Sequence, residues 1–427
     1  TVPEGKKVDC LILNGIECEP FLSADDRLMQ EKGEQIIIGA KILNKLLGIQ
    51  KAIIAIDENK PQAIEIMTRL TKTYVGVNVR VCESKYPQGG EKQLIAAITG
   101  REVPSGKLPV DVGCIVQNVG TVFAVYQAVM KNKPLFERIV TISGDAIEKS
   151  ANFMTRIGTP ASFLIKQCGE VLPTLGQIIF GGPMMGTAAV NPDAPITKLT
   201  SGILLLSAAL SDKRPESVCI RCGKCLDVCP MGLQPNAIAR AVRNNNLEEL
   251  RQLHVMDCIE CGSCAYTCPA GIHLVQSFKV AKQKLREREN REYEAMRTGD
   301  LNNMPKAERL PWRIYTRDYI DARFNIGEYF IPVALVMLVA SVIFTVIFPS
   351  PLVSIIIMTL LYLYLFAIVI DEVVMWRKLK KLLIAKYGEQ SVARGMRTGS
   401  YAWSRSIQFR RWRLPKPRYA KRGHFPE

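Results

Sequence analysis

The chain has 427 residues, 48 % hydrophobic and 22 % charged, which excludes a disordered protein and allows two or three domains. Its thirteen cysteines all lie before residue 269, in a long chain with no signal-like apolar core. That excludes a small secreted disulfide framework and favours metal or redox chemistry in a reducing compartment.

The net charge of +16 sits mostly at the end. From Lys306 onward 20 Lys and Arg face 8 Asp and Glu, a net of +12 that leaves +4 for the first 305 residues. The basic character is therefore a property of the tail and gives no information on what the body binds. The chain opens on Thr1 without an initiator Met and reads as a fragment or processed product.

Strand and helix signals alternate from the start. "DCLILNGIECEP" opens as a buried strand ending at Gly15, "EQIIIGAKILNKLLG" has helical spacing up to Gly48, and "KAIIAIDEN" is a second strand. "PQAIEIMTRLTKTY" is a helix with Pro at its start, and "VNVRVCES" returns as a strand. This alternation predicts an α/β layer on a largely parallel sheet. Within it "NGIECEP" places acids and Cys18 where a strand meets a loop, and such a strand edge points to a ligand crevice. Cys10, Cys82, Cys114 and Cys168 lie among apolar neighbours and read as buried small hydrophobes. Over residues 136–180, "ERIVTISG" and "GQIIFGG" flank the helical "PASFLIKQCG", a small α+β module.

Two cysteine runs follow, "CIRCGKCLDVCP" at 219–230 and "CIECGSCAYTCP" at 258–269, joined by the helical "PNAIARAVRNNNLEELRQLHV". Three thiols in a short loop, a fourth after three more residues and a closing Pro make the two-cluster bacterial pattern, in which the fourth Cys serves the other cluster. One [4Fe–4S] cluster is then assigned Cys219, Cys222, Cys225 and Cys268, and the other Cys258, Cys261, Cys264 and Cys229. A zinc site more often pairs two Cys-x-x-Cys steps across a longer gap, often with His. The only histidines here are His254, His273 and His424. Two such clusters form a wire for single electrons.

"LVQSFKVAKQKLREREN" leaves the body as a charged helix, and "RTGDLNNMPKAERLP" has linker composition. Residues 329–348 and 352–370 are then uncharged, each long enough for the roughly 30 Å of hydrocarbon in a bilayer. Separated by Pro349-Ser350-Pro351, they predict a transmembrane helical hairpin rather than a pair of core helices. Residues 377–427 carry 15 Lys and Arg against 2 acids, so both ends are expected in the cytoplasm. The Arg, Trp and Tyr of "SRSIQFRRWRLPKPRYAKR" suit anionic lipid better than nucleic acid at that position.

"LILNGIECEPFLSADDRLM", "YPQGGEKQLIAAITGREVPSG", "VGCIVQNVGTVFAVYQAV", "IIFGGPMMG" and the two cysteine runs, in this order, resemble the C subunit of Rnf complexes over residues 1–290. These are membrane oxidoreductases that couple ferredoxin and NAD to ion transport. The first part is also similar to the flavin subunit of respiratory complex I, and 136–170 to that family's soluble-ligand-binding β-grasp domain.

The resemblance implies an FMN- and NAD-binding α/β domain at 1–130, a β-grasp module at 131–200 and a ferredoxin-like helical domain with two [4Fe–4S] clusters at 201–290. A charged linker at 291–328, the transmembrane hairpin at 329–370 and a basic cytoplasmic tail at 371–427 complete the division. It implies hydride exchange with NAD(H) at FMN, with Glu17 and Glu19 as catalytic acids. Asn14, Glu17 and Cys18, with Tyr86, Gly89, Gly90 and Glu91, and with Asn118 and Thr121, form three cofactor loops; a turn role is the competing reading for each. The family's glycine-rich phosphate loop would precede "VDCLILNG", so weak FMN binding is expected of this segment alone. Implied partners are other membrane subunits of an Rnf-type complex and ferredoxin or a ferredoxin-like subunit, at the cell membrane with the redox domains cytoplasmic. A redox-sensor-reducing subunit, a microcompartment cobalamin reductase and an inert membrane scaffold are the competing functions. Residues 307–427 resemble a family of uncharacterised actinobacterial two-helix membrane proteins.

Overall fold

The structure, a computed structural model, describes residues 2, 3, 5–211, 215–347 and 351–426. It divides into two units, Thr1–Gln283 and Lys284–Glu427.

The first unit begins with four parallel strands: β1 (Cys10–Gly15), β2 (Ala52–Asp57), β3 (Val77–Cys82) and β4 (Cys114–Asn118), in the order β3-β2-β1-β4. Helices α1 (Ala24–Leu47), α2 (Pro61–Thr73), α3 (Glu91–Thr99) and α4 (Val119–Lys131) make the crossovers. Period-two alternation sends Leu11 and Leu13 to the face covered by Ile36, Ile37 and Val122, and Ile12 to the face covered by Leu94 and Ile95. α1 and α4 approach so closely that a Cβ on Gly39 would stand 2.3 Å from the Val122 carbonyl oxygen. Helix α1 starts ten residues before the helical spacing at Glu34, because its first turn is capped from outside by Glu17 and carries Asp25 and Asp26.

A second sheet follows. Its strands are β5 (Glu137–Ser143), β6 (Ala151–Arg156), β7 (Leu175–Phe180), β8 (Thr187–Ala188) and β9 (Gly202–Ser207), with α5 (Ala161–Gln167) across one face. The order is β6-β5-β9-β7-β8, with β5 and β9 parallel and the remaining pairs antiparallel. The wholly buried β9 lies at the centre, so the module boundary expected at residue 200 falls short of its central strand.

The cysteine region is built from single turns α6 (Lys224–Asp227) and α9 (Ser263–Tyr266) with α7 (Pro235–Arg243) and α8 (Leu247–Gln252) between them. The intervening helix expected from sequence breaks at Asn246, whose Oδ1 accepts from the Glu249 N–H (3.2 Å) and caps α8. Helix α10 (Leu274–Thr298) follows.

The second unit corrects two sequence expectations. Residues 291–328 are not a linker: α10 runs through Thr298, and α11 (Pro311–Ala322) buries Tyr315 and Ile320 against Met375, Leu379, Leu383 and Ala402. The residues after 370 are not an open basic tail. Helix α13 (Pro351–Tyr387) continues, α14 (Thr398–Ile407) packs back on α11, and Arg405 and Arg413 are buried. Asp321 accepts from Arg405 (3.0 and 2.6 Å) and Arg413 (2.8 Å), while Glu328 accepts from Arg413 (3.0 Å) and Arg422 (2.9 Å). The linker reading failed because these charges, spaced without apolar periodicity, are matched to partners about 90 residues away.

Helix α12 (Phe330–Ile347) packs against α13. Ile326–Ile343 and Ile355–Tyr387 are long and apolar enough to cross a membrane, and only 11 % of each apolar window is buried. The expected turn falls largely on residues 348–350, outside the described residues.

Candidate functional site

In the first sheet the chain steps outward from β1 to β2 and β3, then α3 carries it back to β4 on the other side of β1. That reversal opens a crevice at the carboxyl ends of β1 and β4. All three loops singled out from sequence stand at this edge: residues 14–19 after β1, 86–91 after β3 and 118–121 after β4.

Asn14 ties two of them together. Its Nδ2 donates to the Gly89 carbonyl (2.9 Å), its Oδ1 accepts from the Ile16 N–H (3.1 Å), and the Gly89 N–H reaches Cys18 Sγ (3.4 Å). Glu17 is almost wholly buried. Its carboxylate accepts from the N–H groups of Asp25 (3.2 Å) and Asp26 (3.4 Å), with Lys60 Nζ 3.8 Å away. Burial, and then the charge of Asp25, push the Glu17 carboxyl up to about 7.

Glu19 points elsewhere. It accepts from the N–H groups of Met184 (2.8 Å) and Met185 (3.4 Å) in the turn between β7 and β8. A Cβ on Gly182 would stand 2.0 Å from the Glu19 carboxylate, so a larger residue there would displace Glu19. Burial raises the Glu19 carboxyl. Asn118 caps α4 through the Gly120 N–H (2.8 Å) and donates to Asp25 (2.6 Å). Glu91 and Thr121 sit exposed on the first turns of α3 and α4, and Gly90 caps α3.

Sequence reasoning missed Asp57, Asp25, Lys60 and Met184. Asp57 ends β2, is 1 % exposed and accepts from the Glu17 N–H (2.9 Å), while its Oδ1 has no partner. Burial raises its carboxyl too. It was legible by the rule that selected residues 14–19, as an acid at a strand's carboxyl end. Carboxylates that crowd one crevice accept from hydroxyls and N–H groups, so this end suits the polar uncharged part of a ligand, not its phosphate.

The thiols form two cavities. Cys219, Cys222, Cys225 and Cys268 line one, with Asn236, Arg221 and Arg243; Cys229, Cys258, Cys261 and Cys264 line the other, with Glu260 and Phe278. Each cavity draws three thiols from one run and one from the other. None of the thirteen cysteines is in a disulfide. Among the described residues no three Cys, His, Asp or Glu close around a single ion. A zinc ion would bring its thiolates within about 3.8 Å of one another. Thiols that rim a cavity suit a body of several atoms, and four thiolates around an iron–sulfide cubane meet that description.

Loops of the α/β domain touch the second set. Tyr86 Oη donates to the Cys261 carbonyl, Ser105 Oγ donates to Asp257, the Gly106 N–H reaches Asp257 (3.4 Å), and Gln93 Nε2 lies 2.9 Å from Met231 Sδ. Tyr86, read from sequence as a cofactor contact, thus spends its hydroxyl on the cysteine loop. Lys282 supports that loop from α10, donating to the Cys258 carbonyl (2.5 Å) and Glu260 (2.7 Å).

Residues 1–127 match the sequence-family model of the Nuo51 FMN-binding domain, and residues 216–232 that of a 4Fe-4S binding domain. The chain is 46 % identical over 284 residues to the C subunit of the Na(+)-translocating ferredoxin:NAD(+) oxidoreductase complex of Acetobacterium woodii, covering 66 % of this chain and 64 % of that protein. About two thirds of the chain thus aligns with that C subunit. The C subunit of the proton-translocating ferredoxin:NAD(+) oxidoreductase complex of Clostridium ljungdahlii is 47 % identical over 252 residues, covering 58 % of this chain and 54 % of that protein. The C subunit of the ion-translocating oxidoreductase complex of Rhodobacter capsulatus is 45 % identical over 285 residues, covering 66 % and 55 %. The Rnf-type resemblance read from the sequence is thereby borne out. The chain spans about half to two thirds of the length of these relatives. Residues 239–423 match a family described as a protein of unknown function (DUF3043), a match that starts well before residue 307 and takes in the second cysteine run.

Proposed function

We propose that the first unit passes electrons between NAD(H) and two [4Fe–4S] clusters through FMN, as the electron-transfer subunit of a membrane-bound ferredoxin:NAD oxidoreductase complex coupled to ion transport. The observation that carries this reading is the pair of crossed thiol quartets, one of them hydrogen-bonded to the loop beside the switch-point crevice. FMN, when bound, converts a two-electron hydride exchange into single-electron steps. The chain's own residues supply the rest. Asn14 and Cys18 hold the first and second loops together, and Asn118 fixes the third through Asp25. Glu17, with its raised carboxyl, is placed to hold a proton near neutral pH at the crevice, and Asp57 orients the loop by accepting from the Glu17 N–H. The second quartet is the near station and the first quartet the far one.

The second sheet is proposed to be a β-grasp module, which its central parallel β5–β9 pair and crossing helix support. Ile326–Ile343 and Ile355–Tyr387 are proposed to cross the cell membrane with both ends cytoplasmic. Their outward apolar side chains support this, because a soluble core helix would be covered. With Arg405 and Arg413 withdrawn to internal partners, exposed Arg411, Trp412, Lys416 and Lys421 are left to meet anionic lipid.

Anaerobic purification of the chain tests the central point. About eight irons per chain are expected. Cys229→Ala should damage the centre that otherwise depends on the second run, and Cys268→Ala the centre of the first, each visible by electron paramagnetic resonance. Stoichiometric zinc, or damage confined to the run that carries the substitution, would overturn the assignment.

A further inference from the structure

The two cysteine runs are repeats that extend into the helix after each. Counted from the last thiol of a run, the positions seven and ten residues on line the cavity of that run's own three-thiol loop: Asn236 and Ala239 for the first, Val275 and Phe278 for the second. Fourteen residues on, both repeats carry a cation, Arg243 on α7 and Lys282 on α10. The two are held differently. Arg243 is exposed. Lys282 is 7 % exposed, on the buried stripe of Phe278, Ala281 and Leu285, and its Nζ reaches the Cys258 carbonyl (2.5 Å) and Glu260 (2.7 Å). Glu260 has a second cation in Lys279, 3.9 Å away and half exposed.

A buried ion pair contributes little to stability beyond what apolar side chains of the same volume would, so packing alone gives no reason for a lysine on this stripe. Reduction of a cluster adds one negative charge, and a positive charge fixed beside it favours the reduced form. We infer that Lys282 is a positioning residue that raises the reduction potential of the centre held by Cys229, Cys258, Cys261 and Cys264, with Glu260 as its counter-charge. The inference rests on reading that quartet as a cluster site. At an effective dielectric of about 20, a unit charge about 12 Å from a redox centre changes a one-electron equilibrium about tenfold. Lys282 touches the carbonyl of one of the thiol residues themselves. Glu260 offsets part of its field, but removing Lys282 still changes the local charge by one whole unit.

The test is an anaerobic redox titration of the full chain in detergent, followed by electron paramagnetic resonance, with the second centre identified as the signal that Cys229→Ala removes. Lys282→Gln keeps a donor for the Cys258 carbonyl and removes the charge. The equilibrium constant for reducing that centre should then fall about tenfold, which is about 59 mV for one electron. Lys282→Arg keeps the charge and should keep the wild-type midpoint. Glu260→Gln should shift the same centre the other way, and it decides the matter if Lys282→Gln loses iron. Arg243→Gln, at the solvated counterpart, should move the first centre by clearly less, because water and salt screen it. An unchanged midpoint in Lys282→Gln with iron intact, equal shifts in Lys282→Gln and Lys282→Arg, no rise in Glu260→Gln, or as large a shift in Arg243→Gln would overturn the role of Lys282. A wild-type chain without about eight irons would instead overturn the cluster reading beneath it.

Discussion

Arg413→Met removes the centre of the ion network that holds the second unit together. Arg413 is fully buried and donates to three acceptors: Asp321 (2.8 Å), Glu328 (3.0 Å) and the Gln408 carbonyl (3.1 Å). Deleting one partner of a buried ion pair costs about 3–5 kcal/mol, because the remaining charge stays in low dielectric. Here both carboxylates keep another guanidinium, Arg405 on Asp321 and Arg422 on Glu328, so the lower end of that range, about 3 kcal/mol, applies. Methionine fills most of the vacated volume and limits the cavity contribution. For a unit of this size, about 3 kcal/mol corresponds to a fall of about 6–12 °C in Tm. Thermal unfolding in detergent, followed by the fluorescence of the four tryptophans, all in this unit, reads it. Arg411→Met, at an exposed neighbour, is the control and should move Tm by less than about 2 °C. Equal behaviour of the two variants would refute the buried-network account and restore an open tail.

Two further outcomes follow from the first unit. Glu17 keeps its proton up to about 7 when folded, whereas an unfolded glutamate loses it near 4.5. Between these values the native state binds more protons than the unfolded one, so stability falls as pH rises, by at most about 3 kcal/mol in all. Glu17→Gln should flatten that slope in pH-dependent denaturant unfolding, and an unchanged slope would place the titration elsewhere. Asp257→Ala should free Ser105 and the Gly106 N–H at about 1 kcal/mol per hydrogen bond. Amide exchange at residues 105–107 should then accelerate about fivefold to thirtyfold with iron content unchanged, and wild-type protection there would remove Asp257 from the joint.

The parallel sheet and the crossed quartets were legible because each rests on a local rule. Strand and helix periods alternate up to residue 82, and the thiol spacing carries its own exchange of fourth ligands. The loops at the crevice were legible from the strand ends, but their roles were not. Nothing local tells that the Tyr86 hydroxyl reaches Cys261, 175 residues away, or that Glu19 turns to Met184. Asp57 was legible in principle, as the acid that closes β2. The second unit was least readable. Arg317, Asp321, Glu328, Arg405 and Arg413 look like solvated charge in any short window, and only their pairing at long range makes them interior residues.

The exchange of fourth thiols also makes each cavity depend on both cysteine runs. Cys229 serves the cavity of the second run and Cys268 that of the first, so neither cavity closes until the chain between them has returned. That return is made by α7 and α8, which bury Ile238, Ala239, Ala241 and Leu250, and by Val255 just before the second run. The entropy of closing so short a loop grows only slowly with its length, so the helices matter less as a spacer than as packing that fixes where the second run lands. The same landing brings Asp257 to Ser105 and Cys261 to Tyr86. The packing that fixes the second run thus also sets its joint to the crevice. Loss of either quartet should loosen the contact at Tyr86 as well as the wire.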